Sequence, residues 1–280
     1  MITLRAAVVL VFAIVACRKP PMPRPAPPDV APSNGSTTIA STPRPEPSGV
    51  APPAPSPLVP LPVAGFEDAV VAFPRGASRK PVIVAAHAHG EAVERVCEIF
   101  RGIVGDRAIV LCTRGLTWSS GPTYASEGSL ARELDAAVDA LAARYPERVA
   151  EGPVVYAGFS MGANFAVPAL VAEPARFPRV IMVEGGVTDW TRARINAFAR
   201  GGGQRVLFAC GRAERVPKAQ RIAEAMRTAG LDAHVVFGRD DDGSAHGHDE
   251  GGAVATAIVS ELDWLVAGDA RWSPEVLTPR

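Results

Sequence analysis

Apolar positions in this chain fall into short continuous runs separated by longer segments of helical period. Phe66 to Phe73 reads as a first strand, and Pro81 to Ala86, apolar throughout, as a second. Glu91 to Val104 places Val93, Val96, Cys97 and Phe100 on one helical face, and Ala108 to Cys112 is a third buried strand. A polar, Gly-rich loop from Thr113 to Ser126 leads into an amphipathic helix from Glu127 to Arg144, which Pro146 stops. Strands follow at Val154–Ala157, Val180–Val183, Val206–Ala209 and His234–Phe237. A helix from Lys218 to Ala229 is capped by Gly230, and a closing helix runs from Ala253 to Val266. Strands alternating with helices of this length need parallel crossovers, which predicts an α/β fold, a three-layer α/β/α sandwich around a mostly parallel sheet. Ligands in such folds bind beyond the carboxyl ends of the strands, so the residues that follow each strand matter most.

The amino-terminal part has a different composition. A short polar start ending at Arg5, an apolar run from Ala6 to Val15 too short to span a bilayer, and Ile14-Val15-Ala16-Cys17 read as a signal peptide over residues 1–17. The tetrapeptide resembles the bacterial lipobox, which implies lipidation of Cys17 and a lipid-anchored, exported protein on the periplasmic or surface side of the cell envelope. Acyl chains contribute about 0.8 kcal/mol per buried methylene to such an anchor. Residues 18–63 carry sixteen of the chain's 27 prolines, with almost no large apolar side chain before Leu58. That composition predicts a disordered, extended tether. Residues 64–280 remain as one domain, large enough for a substantial core.

Charge narrows the partners. Lys plus Arg and Asp plus Glu both number 29, and no basic stripe interleaved with aromatics occurs, so nothing recommends a nucleic acid. Cys97, Cys112 and Cys210 sit in apolar patterns. Export permits a disulfide, buried thiols are the default expectation, and the spacing fits no zinc motif.

Chemistry enters at Gly158-Phe159-Ser160-Met161-Gly162, directly after the apolar run Pro153 to Ala157 and before the helix-compatible run Ala163 to Val167. A strand, GxSxG and a helix in that order present a serine nucleophile on a tight turn, with glycines where neighbouring backbone must pass closely. Serine needs a base, an acid that orients the base, and donors for the developing oxyanion. Other strand ends supply His87-Ala88-His89-Gly90, Thr113-Arg114-Gly115, Glu184-Gly185-Gly186, Gly211-Arg212-Ala213-Glu214 and a loop with His246 and His248. Over roughly residues 64 to 268 the chain resembles the α/β-hydrolase superfamily in its esterase and dienelactone-hydrolase-like branch. The resemblance implies Ser160 as nucleophile, His246 as base with His248 as competitor, and Glu214 as acid with Asp189 in reserve. Glu214 stands where that family usually carries aspartate. The backbone N–H groups of Met161 and His89 are the implied oxyanion donors, and Trp118, Tyr124 and Trp190 are candidates to shape an acyl pocket.

The expected activity is cleavage of small or medium carboxylic esters through an acyl-enzyme, with no cofactor. Two other readings are a catalytically inactive binding module on the envelope and a metal-dependent hydrolase built on the pairs His87-x-His89 and His246-x-His248. No HExxH occurs, and Asp240-Asp241-Asp242 lacks the alternation of a calcium loop.

Overall fold

A computed structural model describes residues 57–273. Cys17, the signal peptide and nearly all of the expected tether lie outside the described residues. In chain order the strands and helices are β1 (Val59–Leu61), β2 (Ala69–Ala72), β3 (Val82–Ala86), α1 (Val93–Val104), β4 (Ile109–Thr113), β5 (Leu116–Trp118), β6 (Gly121–Thr123), α2 (Glu127–Arg144), β7 (Val155–Phe159), α3 (Met161–Ala172), β8 (Arg179–Val183), α4 (Arg192–Arg200), β9 (Arg205–Cys210), α5 (Val216–Thr228), β10 (Asp232–Phe237) and α6 (Gly252–Val266).

Eight strands form one sheet in the order β1-β2-β4-β3-β7-β8-β9-β10. Both β1–β2 and β2–β4 are antiparallel, and every other pairing is parallel. Every residue of β3, β4, β7 and β8 is buried, as expected of strands covered on both faces, and this is why their sequences read as continuous apolar runs. Val82, Val84 and Ala86 face a core built with Leu130 and Leu134 of α2, Ala166 of α3, Phe198 of α4 and Met226 of α5. Ile83 and Ala85 face the opposite core, with Phe100 of α1 and Ile258 and Leu262 of α6. The three-layer expectation therefore holds, with α1 and α6 on one face and α2 to α5 on the other.

Three local expectations change. The tether does not run to residue 63, because Val59–Leu61 pairs with β2 as the edge strand. The expected loop 113–126 contains a small hairpin, β5–β6, whose Gly90 N–H to Pro122 carbonyl bond (2.8 Å) fastens it to the loop after β3. Cys97 and Cys112 are joined as a disulfide with Cα atoms 5.8 Å apart, binding α1 to β4, and only Cys210 is a free thiol among the described residues. Cys97 lies on the α1 face that covers the sheet, which brings it over β4.

Candidate active site

The turn after β7 is held by close backbone packing. A β-carbon on Gly158 would lie 2.7 Å from the Ala163 nitrogen, and one on Gly162 would lie 2.4 Å from the Ala86 carbonyl oxygen. Only glycine fits at these two positions. Between them Ser160 adopts φ 48°, ψ −102°, a region that costs a residue with a side chain roughly 1–3 kcal/mol and persists only where its surroundings enforce it. Here they do. The Ser160 N–H donates to the Val183 carbonyl (2.9 Å), the Gly162 N–H to the His87 carbonyl (3.2 Å), and the Tyr156 hydroxyl to the Gly162 carbonyl (2.8 Å).

His248 approaches from the loop between β10 and α6. Its Nε2 lies 3.0 Å from Ser160 Oγ and its Nδ1 3.0 Å from Glu184 Oε2. The partners set the tautomer: Nδ1–H donates to the carboxylate and Nε2 accepts the serine hydroxyl. The loop is seated by the Gly247 N–H, which donates to the Gly211 carbonyl (2.9 Å). A β-carbon on Gly211 would fall 2.1 Å from the Gly247 oxygen, so this approach requires glycine.

Glu184 directly follows β8, with φ 50° and a fully buried side chain. Its Oε1 accepts the N–H groups of Gly211 (2.7 Å) and Arg212 (3.0 Å), and its Oε2 accepts Arg212 Nε (2.6 Å) beside the His248 bond. Arg215 Nε adds an ion pair at 3.2 Å. Burial pushes this carboxyl upward, but the hydrogen bonds from His248, Arg212 and Gly211 outweigh it, and the group sits below the ordinary glutamate range. It is therefore held as a carboxylate.

These positions revise the sequence expectation for base and acid. His246 does not reach Ser160: its Nδ1 lies 2.5 Å from Asp240 Oδ1, and its ring packs on Gly252. Glu214 does not reach a histidine: its side chain is 72% exposed, with an ion pair to Arg212 at 3.7 Å. Asp189 accepts from the Thr188 hydroxyl (3.0 Å). Sequence reasoning missed Glu184 as the carboxylate that meets His248, although it immediately follows an apolar strand, with Gly185-Gly186 behind it.

Met161 opens α3, and its N–H is among those that a helix's first turn leaves unpaired. In the loop after β3, the Ala88 N–H donates to Glu91 Oε2 (3.3 Å), the Glu91 N–H to the Ala88 carbonyl and the Gly90 N–H to Pro122, and these bonds shape the turn around His89. His89 Nδ1 lies 3.1 Å from Thr123 Oγ1. A cavity of about 450 Å³ opens over Ser160, walled by His89, Glu91, Phe159, His248 and Glu250. Of the three aromatic residues considered for the pocket, Tyr124 and Trp190 are buried in the core, whereas Trp118 is exposed on the hairpin.

The two His-x-His pairs are engaged separately. His87 is buried, stacked on Tyr124, with its ring nitrogens at the Ala88 and Arg114 carbonyls, and His246 bonds Asp240. Among the described residues no group of three or more His, Cys, Asp or Glu side chains is arranged to hold a metal ion.

No protein-family model and no curated protein matches this chain. Solved structures match its fold. A carboxylesterase from Bacillus cereus is 19% identical with a TM-score of 0.53, over 72% of this chain and 95% of that one. Est1E from Butyrivibrio proteoclasticus is 12% identical with a TM-score of 0.55, over 76% and 100%. TT1662 from Thermus thermophilus is 17% identical with a TM-score of 0.53, over 75% and 98%. Together with the strand order and the strand–serine–helix turn, these likenesses identify the fold of the described domain as the α/β-hydrolase fold.

Proposed function

We propose that this protein is a serine hydrolase that cleaves carboxylic esters through an acyl-enzyme at Ser160. The observation that carries the reading is the chain of hydrogen bonds from Ser160 Oγ through His248 to the buried Glu184 carboxylate, each link 3.0 Å, at the tip of a strained turn. His248 Nε2 takes the hydroxyl proton as Ser160 Oγ attacks the ester carbonyl. Glu184 orients the imidazole and stabilises it while it is charged. The N–H groups of Met161 and His89 receive the oxyanion. The tetrahedral intermediate collapses, His248 returns its proton to the departing alkoxide, and the acyl group remains on Ser160. Water, deprotonated by His248, then attacks the acyl-enzyme, and the second tetrahedral intermediate releases the acid as His248 returns the proton to Ser160 Oγ. The cavity over Ser160 suits a small or medium ester, and the esterases among the structural neighbours agree with that substrate class.

Residues 1–17 are read as a lipoprotein signal and Cys17 as the anchor that carries this domain on the cell envelope. Metabolic labelling with an alkyne fatty acid, lost in Cys17→Ser, tests that part.

Fluorophosphonate labelling of the full-length protein tests the chemistry. The reading predicts modification at Ser160, abolished in Ser160→Ala and His248→Ala; folded wild-type protein that takes no label overturns it.

A further inference from the structure

The walls of the cavity over Ser160 contain an ion cluster that the proposed reaction does not use. Arg95, in the first turn of α1, directs Nε to Glu91 Oε1 (3.1 Å) and Nη2 to Asp249 Oδ1 (2.8 Å). The same Nε lies 3.6 Å from Glu250 Oε1. Glu91 belongs to the loop after β3, where its other oxygen receives the Ala88 N–H one residue before His89. Asp249 and Glu250 directly follow His248, and Asp249 Oδ1 also accepts the Gly251 N–H (2.7 Å). One guanidinium thus reaches both loops that flank the nucleophile.

We propose that Arg95, with the Glu91–Glu250 carboxyl pair, is a clasp that holds the His248 loop against the oxyanion loop, so that these three are positioning residues for the reaction at Ser160. The inference rests on the hydrolase reading for its kinetic consequences but not for the clasp itself.

The cluster carries three carboxyls against one guanidinium, and Glu250 is buried at 1% exposure. Burial, then a hydrogen bond to Glu91 and the nearby Glu91 charge, pushes Glu250 up to about 9, with Arg95 pulling the other way. At neutral pH this favours the protonated form of Glu250 and lessens its repulsion with Glu91, while its buried Oε1 has no hydrogen-bond partner and only the longer approach of Arg95. The charged or titratable groups around Glu250 are Glu91 from the oxyanion loop, Arg95 from α1, and Asp249 and His248 from its own loop. Above pH 9 Glu250 ionises beside Glu91, and the clasp opens.

Full-length wild type, Arg95→Met and Glu250→Gln decide the matter with two readouts. Hydrogen exchange, expressed as protection relative to intrinsic rates, needs no turnover. Arg95→Met is expected to lose protection in both 87–91 and 246–251, and wild type to lose it in the same two segments above pH 9, whereas Glu250→Gln keeps a pH-independent pattern. In turnover of a short aryl ester, Arg95→Met is expected to lower kcat by roughly 10–100-fold with KM changed less than about threefold, the signature of misplaced catalytic groups. The alkaline fall of kcat/KM above pH 9 is expected in wild type and absent in Glu250→Gln, whatever that variant's absolute rate. Unchanged protection of both loops in Arg95→Met, or in wild type across pH 9, overturns the clasp. A wild type that cleaves no ester overturns the hydrolase reading alone, and the exchange data still decide this one.

Discussion

Glu184 Oε2 stands 3.0 Å from His248 Nδ1, although 64 residues separate the two in the chain. The carboxylate comes from the end of β8, and the connection after β9 supplies the guanidiniums of Arg212 and Arg215 that flank it. An acid at this strand end serves the same imidazole because the parallel strands β8 and β9 finish side by side.

Glu184→Gln is accordingly expected to cut kcat by about 10³–10⁴-fold, because an amide neither enforces the productive tautomer nor stabilises the charged imidazole. Glu214→Gln is expected to stay within about twofold of wild type. Steady-state kinetics on the two variants measures this directly, and equal losses in both would refute the assignment of Glu184.

The two loop histidines separate in the same way. His248→Ala should lose at least about 10³-fold in kcat, whereas His246→Ala, which removes a contact to Asp240, should stay within about threefold. A larger loss in His246→Ala would return the base to the position that the sequence motif favours.

The disulfide makes a thermodynamic prediction. Cys97 and Cys112 are 15 residues apart, and closing such a loop limits the unfolded chain by about 3 kcal/mol in the chain-entropy picture. Reduction, or the double change Cys97→Ser and Cys112→Ser, is expected to lower the denaturant midpoint by a corresponding amount. Cys210 should react with maleimide only after unfolding, since burial, with Glu184 close by, pushes its thiol up to about 12.

Glu133 of α2 is buried with its Oε1 accepting the N–H groups of Arg114 (2.9 Å) and Gly115 (2.8 Å). Burial pushes this carboxyl up to about 7 against those two bonds, with Glu67 adding to the rise. The unfolded chain releases the proton near its ordinary value of 4.5, so between there and 7 the folded state holds one more proton and stability falls as pH rises. Glu133→Gln keeps an oxygen for both N–H groups and removes the titration. It is expected to be more stable than wild type by about 1–3 kcal/mol at pH 8, with the gap closing below pH 5. Urea melts at pH 4.5, 6 and 8 measure this, and parallel curves for the two proteins would contradict it.

Gly162→Ala tests the turn itself. The added methyl would meet the Ala86 carbonyl oxygen at 2.4 Å, and displacing β3 from the turn is expected to cost about 1–3 kcal/mol and to reduce Ser160 labelling sharply. Normal labelling and stability would mean that the turn yields more easily than its packing indicates.

The sheet was legible because β3, β4, β7 and β8 are buried on both faces, so burial is written into consecutive residues. The serine turn was legible because glycine is obligatory on both sides of Ser160. What escaped depends on contacts distant in sequence. Nothing local separates His246 from His248; the approach of Gly247 to Gly211 decides which ring turns inward. Glu214 had the expected spacing, but it lies on an exposed turn, while Glu184 is enclosed by two N–H groups and two guanidiniums that only the folded strand ends assemble. The β5–β6 strands, three residues each, are too short for a periodic signal, and the pairing of Cys97 with Cys112 follows from how α1 lies on β4.

The arginines around Glu184 also limit how this protein can change over generations. A descendant whose carboxylate moved from the end of β8 to the end of β9 would pass through a stage with Glu184 gone, leaving the partly exposed Arg215 without that partner and Arg212 with only its longer ion pair to Glu214. A second carboxylate would have to compete for the same guanidiniums while Glu184 still holds them, as the exposed Glu214 already does at 3.7 Å from Arg212 Nε. The two arginines therefore favour a carboxylate at its present address over one at the end of β9.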